Sequence, residues 1–183
     1  MPQKPTIVAT KVIAESRFFQ IEALDLCFAN GEKRVFERIN GKHKHGSVMV
    51  IPMLDAETVL LVKEYGAGVQ DYFLSLPKGL VDEGESLPEA ANREMMEEIG
   101  YAAKDLSKLT TLYVSPGYMG SNITVFVARN LYPQALVGDE PEEIEIVKMK
   151  LSDINQLDTS EMCCDSRTIA ALYILREKLD AQA

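Results

Sequence analysis

Two kinds of hydrophobic pattern divide the chain. In its first quarter, residues 7–14 and 18–28 read as strands, the second with apolar positions at Phe19, Ile21, Leu24, Leu26 and Phe28. Asn30-Gly31 follows, a pair that tolerates the positive φ angles of a tight hairpin, so residues 33–39 are expected to return antiparallel. Three such strands carry too little core to stand alone and are expected to lie on the main domain or on a partner subunit. The segment 40–46, Asn-Gly-Lys-His-Lys-His-Gly, is the expected boundary between a piece at 1–45 and a domain at 46–183.

Beyond it the apolar positions become continuous, at 48–54 and again at 58–62. Runs without alternation mark strands buried on both faces, which requires helices on either side of a mixed sheet. Strands near 109–114 and 123–128 extend that sheet, and 143–150 resumes it after an acidic turn. Residues 166–178 close the chain as a helix with Ile169, Leu172, Tyr173 and Leu175 inward. The expected class is α/β.

One helix carries the chemistry. Ser86 with Glu89 forms a capping box, Pro88 sits in the first turn where its missing N–H does no harm, and Gly100 supplies a left-handed stop. Leu87, Ala91, Met95 and Ile99 make an apolar ridge at four-residue spacing. Glu94, Glu97 and Glu98 stand at i, i+3 and i+4, so their carboxylates leave the helix on one side and repel one another. A divalent cation relieves that repulsion, and an oxygen-only ligand set points to Mg²⁺ or Mn²⁺ rather than zinc. Arg93 lies beside them and can reach back to Glu85 or Glu83 in the glycine-containing acidic loop that precedes the helix. An acidic run on a helix is more often a solvated face. The glycine start, capping box, embedded arginine and glycine stop together favour a metal site.

Gly79, Glu85, Arg93-Glu94, Glu97-Glu98 and Gly100, with these intervals, resemble the Nudix box. All of its fixed polar and glycine positions are met; its last apolar slot holds Tyr101. The resemblance implies a Nudix α/β/α sandwich with a mixed central sheet and a small N-terminal antiparallel sheet. It also implies metal-dependent hydrolysis of nucleoside diphosphates linked to another moiety. Carried over to this chain, Glu94 and Glu98 are direct metal ligands and Glu97 belongs to the cluster. Gly79 or Lys78 offers a main-chain carbonyl, and Glu85 with Arg93 forms a structural bridge.

Pro116, sixteen residues after Gly100, resembles the marker of the ADP-ribose pyrophosphatase branch. The run 4–38, Lys63-Glu64-Tyr65, residues 90–94, Asn130-Leu131-Tyr132-Pro133 and residues 138–142 are similar to bacterial ADP-compounds hydrolases of that branch. These imply small-molecule substrates such as ADP-ribose, NADH and diadenosine oligophosphates, release of AMP, and a homodimer. Ser75 stands where the branch commonly has glutamate, which loosens the choice among substrates.

A general base is expected off the helix. The acidic stretch offers Asp139, Glu140, Glu142, Glu143 and Glu145; as solubilising surface it is equally well explained. The branch resemblance places a catalytic glutamate on this loop, with Glu142 preferred and Glu140 in reserve, although in some relatives a carboxylate of the box (Glu97 or Glu98 here) activates water instead. The competing class is a Nudix-fold module that binds nucleotide or protein without turnover, whose signature would be a lost box carboxylate. A calcium module lacks its Asp-x-Asp-x-Asp-Gly spacing.

With 183 residues the chain is long enough for one domain with a substantial core. Its 19 basic and 28 acidic residues give a net charge of −9, which disfavours polynucleotide binding. No membrane span or leader is expected, and Cys27, Cys163 and Cys164 suit a reducing cytoplasm better than a disulfide framework. His43 and His45 alternate with lysines, a setting that opposes cation capture, and both are expected to be exposed.

Overall fold

The computed structural model describes residues 3–41, 45–138, 140–157 and 163–181. The described chain divides into two compact units, one of residues 1–44 with 113–122 and the other of 45–112 with 123–183.

The first unit is built on an antiparallel sheet of β1 (Thr6–Glu15), β2 (Phe19–Cys27) and β3 (Lys33–Gly41) in that order. The β2–β3 ladder runs without a break from Phe19 opposite Gly41 to Cys27 opposite Lys33. Gly31 at the turn has φ of +85°, a conformation that an L side chain resists, and the Asn30 Oδ1 accepts the Glu32 amide. Residues 113–122 join this unit through Ile39, whose amide donates to Tyr118 O and whose carbonyl accepts from Gly120 N. Every residue of β1 is exposed. Ile7, Val8, Val12, Ile13, Val35 and Phe36 all present apolar surface to solvent.

The second unit holds two four-stranded sheets. One has the order β10 (Glu145–Lys150), β5 (Thr58–Gly66), β6 (Asp71–Ser75), β11 (Cys163–Cys164). The other runs β7 (Lys78–Leu80), β4 (Ser47–Pro52), β9 (Asn122–Pro133), β8 (Tyr101–Tyr113). The β4–β9 pair is parallel and β4–β7 antiparallel, so the sheets are mixed.

Side chains of β4 and β5 are buried on both faces, and their parity sorts them. Met49, Ile51, Val59 and Leu61 pack with Leu172 and Leu175 of α2 (Ser166–Asp180), while Val48, Val50, Leu60 and Val62 pack with Ala90, Ala91 and Met95 of α1 (Leu87–Glu98). Helix, sheet and helix therefore form three layers, as the uninterrupted apolar runs predict.

Three short strands escape the periodicity argument. The stretch 78–80, Lys-Gly-Leu, pairs with Ser47 to Met49, so the acidic loop expected to begin at Gly79 starts after a strand. With three residues and a glycine, β7 has no period to detect. The same holds for two-residue β11, while β6 has five residues and buries only Leu74 and Ser75. The strand expected at 109–114 starts at Tyr101, because Gly100, at φ +71°, ends α1 and turns directly into it.

His45 is exposed and His43 lies outside the described residues. All three cysteines are free thiols.

Candidate active site

Helix α1 is fixed at both ends. The Ser86 hydroxyl accepts the Glu89 amide and the Glu89 carboxylate accepts the Ser86 amide, which completes the capping box. Asn92 then pins the helix to β8, its Oδ1 taking the Ala103 amide at 2.9 Å. The segment after β9 lies along the helix end: Leu136 N donates to Met96 O and Gln134 N to Gly100 O. These bonds satisfy carbonyls that a helix terminus leaves open, and they carry the chain past Glu97 at Gly138.

Arg93 is the hub of the cluster. Its Nε and Nη2 meet the two oxygens of Glu85, each at 3.0 Å, in a fork that fixes the preceding loop to the helix. Nη2 also reaches Leu80 O at 2.7 Å, and Nη1 contacts Glu94 Oε1 at 2.8 Å and Glu97 Oε2 at 3.0 Å. One guanidinium thus offsets much of the repulsion that the spacing implies. It holds the Glu85 carboxyl below the ordinary range through that hydrogen bond, and its own proton is bound more tightly in return.

Glu94 and Glu98 feel the opposite effect. Burial pushes Glu94 up despite Arg93, and pushes Glu98 up to about 8. For Glu98, the nearby Lys78 charge and its amide, 3.4 Å from Oε1, only partly counter the loss of solvent, while Glu64 and Glu94 add repulsion. Among the described residues, Glu98 Oε2 is a covered side-chain oxygen with no hydrogen-bond partner. A buried anionic oxygen of this kind is costly unless a proton or a cation neutralises it. Gly79 completes the close packing: a Cβ built there would land on the Glu94 carboxylate, so a side chain at this position would displace that carboxylate from its place beside Arg93.

Glu97, Glu98, Gly138, Glu140, Pro141, Glu142 and Glu143 line one cleft of about 490 Å³, within the range of small-molecule sites. Gly79, Glu85, Arg93 and Glu94 form the connected support behind it. Asp139 lies outside the described residues. Among the described residues no three His, Cys, Asp or Glu side chains already converge as an ion-holding group.

Sequence reasoning named Lys78, Glu64 and Ser75 without their mutual contact, and it missed Tyr72. Lys78 Nζ bonds Glu64 Oε1 and, at 2.7 Å, Ser75 Oγ, so the serine noted for its unusual position carries a polar contact. The available signal was Glu64 itself, a half-buried charge just beyond the buried run of β5. Tyr72, whose hydroxyl meets Glu142, gave no signal, because nothing local distinguishes it from a sheet tyrosine.

The NUDIX domain model matches residues 43–167 and the NudE-type Nudix hydrolase N-terminal domain model matches 5–38. The chain belongs to the Nudix hydrolases. It is a Nudix-fold pyrophosphohydrolase of the NudE-type branch. It is 41% identical to the ADP compounds hydrolase NudE of Escherichia coli (strain K12), over 98% of this chain and 96% of that protein. It is 31% identical to an ADP-ribose pyrophosphatase of Bacillus subtilis (strain 168), over 94% and 96% respectively. A solved structure described as ADP compounds hydrolase superposes with a TM-score of 0.89 at 40% identity, covering 100% of this chain and 98% of that one.

Proposed function

We propose that this Nudix hydrolase cleaves the pyrophosphate linkage of ADP-ribose, NADH and diadenosine oligophosphates and releases AMP. The observation that carries this reading is the cleft in which Glu97 and Glu98, with the covered and unpartnered Glu98 Oε2, face the loop bearing Glu140 and Glu142.

An all-oxygen donor set with an orphaned buried carboxylate oxygen fits Mg²⁺ or Mn²⁺. Glu94, Glu97, Glu98 and the Gly79 carbonyl are the groups that would hold the ion. When bound, such a cation neutralises phosphate oxygens and lowers the pKa of water. The chain's own part is positioning and proton transfer. The Arg93–Glu85 fork holds the helix and loop in register. Glu142 accepts a proton as a water oxygen bonds to phosphorus and the bridging P–O bond breaks, leaving AMP and a phosphorylated second product. Glu140 is the reserve for that role.

The discriminating experiment supplies ADP-ribose, NADH and a diadenosine oligophosphate with Mg²⁺ and then Mn²⁺, and identifies products by mass. AMP is expected from all three. Nucleotide binding without any product would favour a non-catalytic module.

The exposed apolar side chains of the N-terminal sheet support a homodimer in which that sheet meets a second copy. Sedimentation is expected to show a dimer at micromolar concentration; a stable monomer there would overturn this assembly. Among the described residues no helix is long and apolar enough to cross a membrane. Free thiols and a small nucleotide substrate support a place in the cytoplasm.

A further inference from the structure

The acidic loop and the strand that follows it each carry a side-chain tie to the sheet away from the carboxylate helix. Tyr72 Oη donates to Glu142 Oε1 at 2.8 Å, and Lys63 Nζ pairs with Glu145 Oε2 at 3.0 Å. The second tie joins cross-strand neighbours of β5 and β10. The first reaches from β6 into the cleft wall itself.

The Tyr72 ring is held in its own right. Its cross-strand partner is Tyr65, and the two rings meet edge to face at 5.8 Å and 75°. The Lys63 ammonium lies 5.7 Å from the Tyr72 ring centroid. A hydroxyl at the end of a ring fixed by two neighbours on a strand is a rigid donor. The hydrogen bond to Glu142 also pushes the phenol pKa upward, so the group stays protonated and donating at neutral pH.

We propose that Tyr72 is a positioning residue for hydrolysis, its hydroxyl orienting the Glu142 carboxylate in the cleft that Glu97 and Glu98 share. The proposal rests on the reading of Glu142 as the base. With Oε1 occupied by the phenol, the other carboxylate oxygen is the one left to take a proton from water. A hydrogen bond between two exposed side chains adds little to fold stability. Its effect therefore falls on orientation, where a displacement of about 1 Å costs up to roughly a hundredfold in rate.

Tyr72→Phe removes only the hydroxyl and keeps the ring against Tyr65 and Lys63. The test compares Tyr72→Phe, Glu142→Gln and the double variant with ADP-ribose at saturating Mg²⁺, reading kcat, KM and melting temperature. Tyr72→Phe is expected to lower kcat about tenfold, with KM and melting temperature unchanged, and to have no further effect in the Glu142→Gln background. Full kcat in Tyr72→Phe beside a crippled Glu142→Gln would refute the tether and leave the base intact. An active Glu142→Gln would remove the base, and the tether with it. An equal loss from Tyr72→Phe in both backgrounds, or a loss confined to KM, would show Tyr72 acting on its own and overturn the proposal.

Discussion

Glu98→Gln is expected to lower turnover by about two orders of magnitude or more, the scale of losing a preorganised charge at a reacting centre. The change keeps size, and its amide oxygen can still accept from the Lys78 amide. It removes the anion whose Oε2 is covered and unpartnered. The metal-free variant is expected to be at least as stable as the parent, with a pH dependence that identifies the cause. The Glu98 pKa rises from 4.5 to about 8 on folding, because burial opposes the charged form. The folded state therefore holds a proton that the unfolded chain has released. The stability from this proton is fully present below about pH 4.5 and is lost as the pH rises through about 8. Glutamine does not titrate, so the variant's melting temperature is expected to draw ahead of the parent's between those values in metal-free buffer. A cation competes with the same proton, so Mg²⁺-induced stabilisation of the parent is expected to grow with pH over that window. Near-normal turnover of Glu98→Gln at saturating Mg²⁺, with a flat difference in melting temperature, would end the assignment of Glu98 as a metal-binding group.

The sequence showed more of the fold's layers than of its site's wiring, for a physical reason. Val48 to Ile51 and Val59 to Val62 are all almost wholly buried, and only strands covered on both faces call for such runs, so three layers followed from hydrophobicity. The capping box and the stop at Gly100 were equally readable, because caps are local chemistry at fixed offsets. Interactions between distant residues were not. Arg93 adjoins Glu94 and stands one helical turn before Glu97, contacts that helix spacing allows, yet its bond to Leu80 O depends on where the preceding strand and loop run. Glu64, Ser75 and Lys78 meet because β5 and β6 are paired and Lys78 opens the next strand just after β6 ends. Tyr72 and Glu142 are seventy residues apart. Burial of Glu98 depends on what covers its helix face, and helical spacing reveals only that the face exists.

Glu142→Gln is expected to cut turnover by about 10²–10⁴, the usual consequence of removing a general base, while Mg²⁺ affinity measured by calorimetry stays close to that of the parent. Glu142 is exposed, lines the cleft with Glu97 and Glu98, and accepts a hydrogen bond from the Tyr72 hydroxyl. Pro141 limits the conformations of Glu140 before it and fixes its own φ, which lowers the cost of presenting the next carboxylate in one orientation. Glu140 and Glu143 line the same cleft, so position alone does not choose among the three, and glutamine variants at each position do. Glu145 pairs with Lys63 on the sheet and is already engaged. If Glu140→Gln were the crippled variant and Glu142→Gln healthy, the loop would still supply the base from the neighbouring position. If glutamine at 140, 142 and 143 each left turnover intact, proton removal would fall to the helix, where Glu94 and Glu97 are held by Arg93 and Glu98 is the carboxylate without such a partner. Paired measurement of turnover and Mg²⁺ affinity separates these cases, because loss of a loop base leaves the ion bound and loss of a helix carboxylate does not.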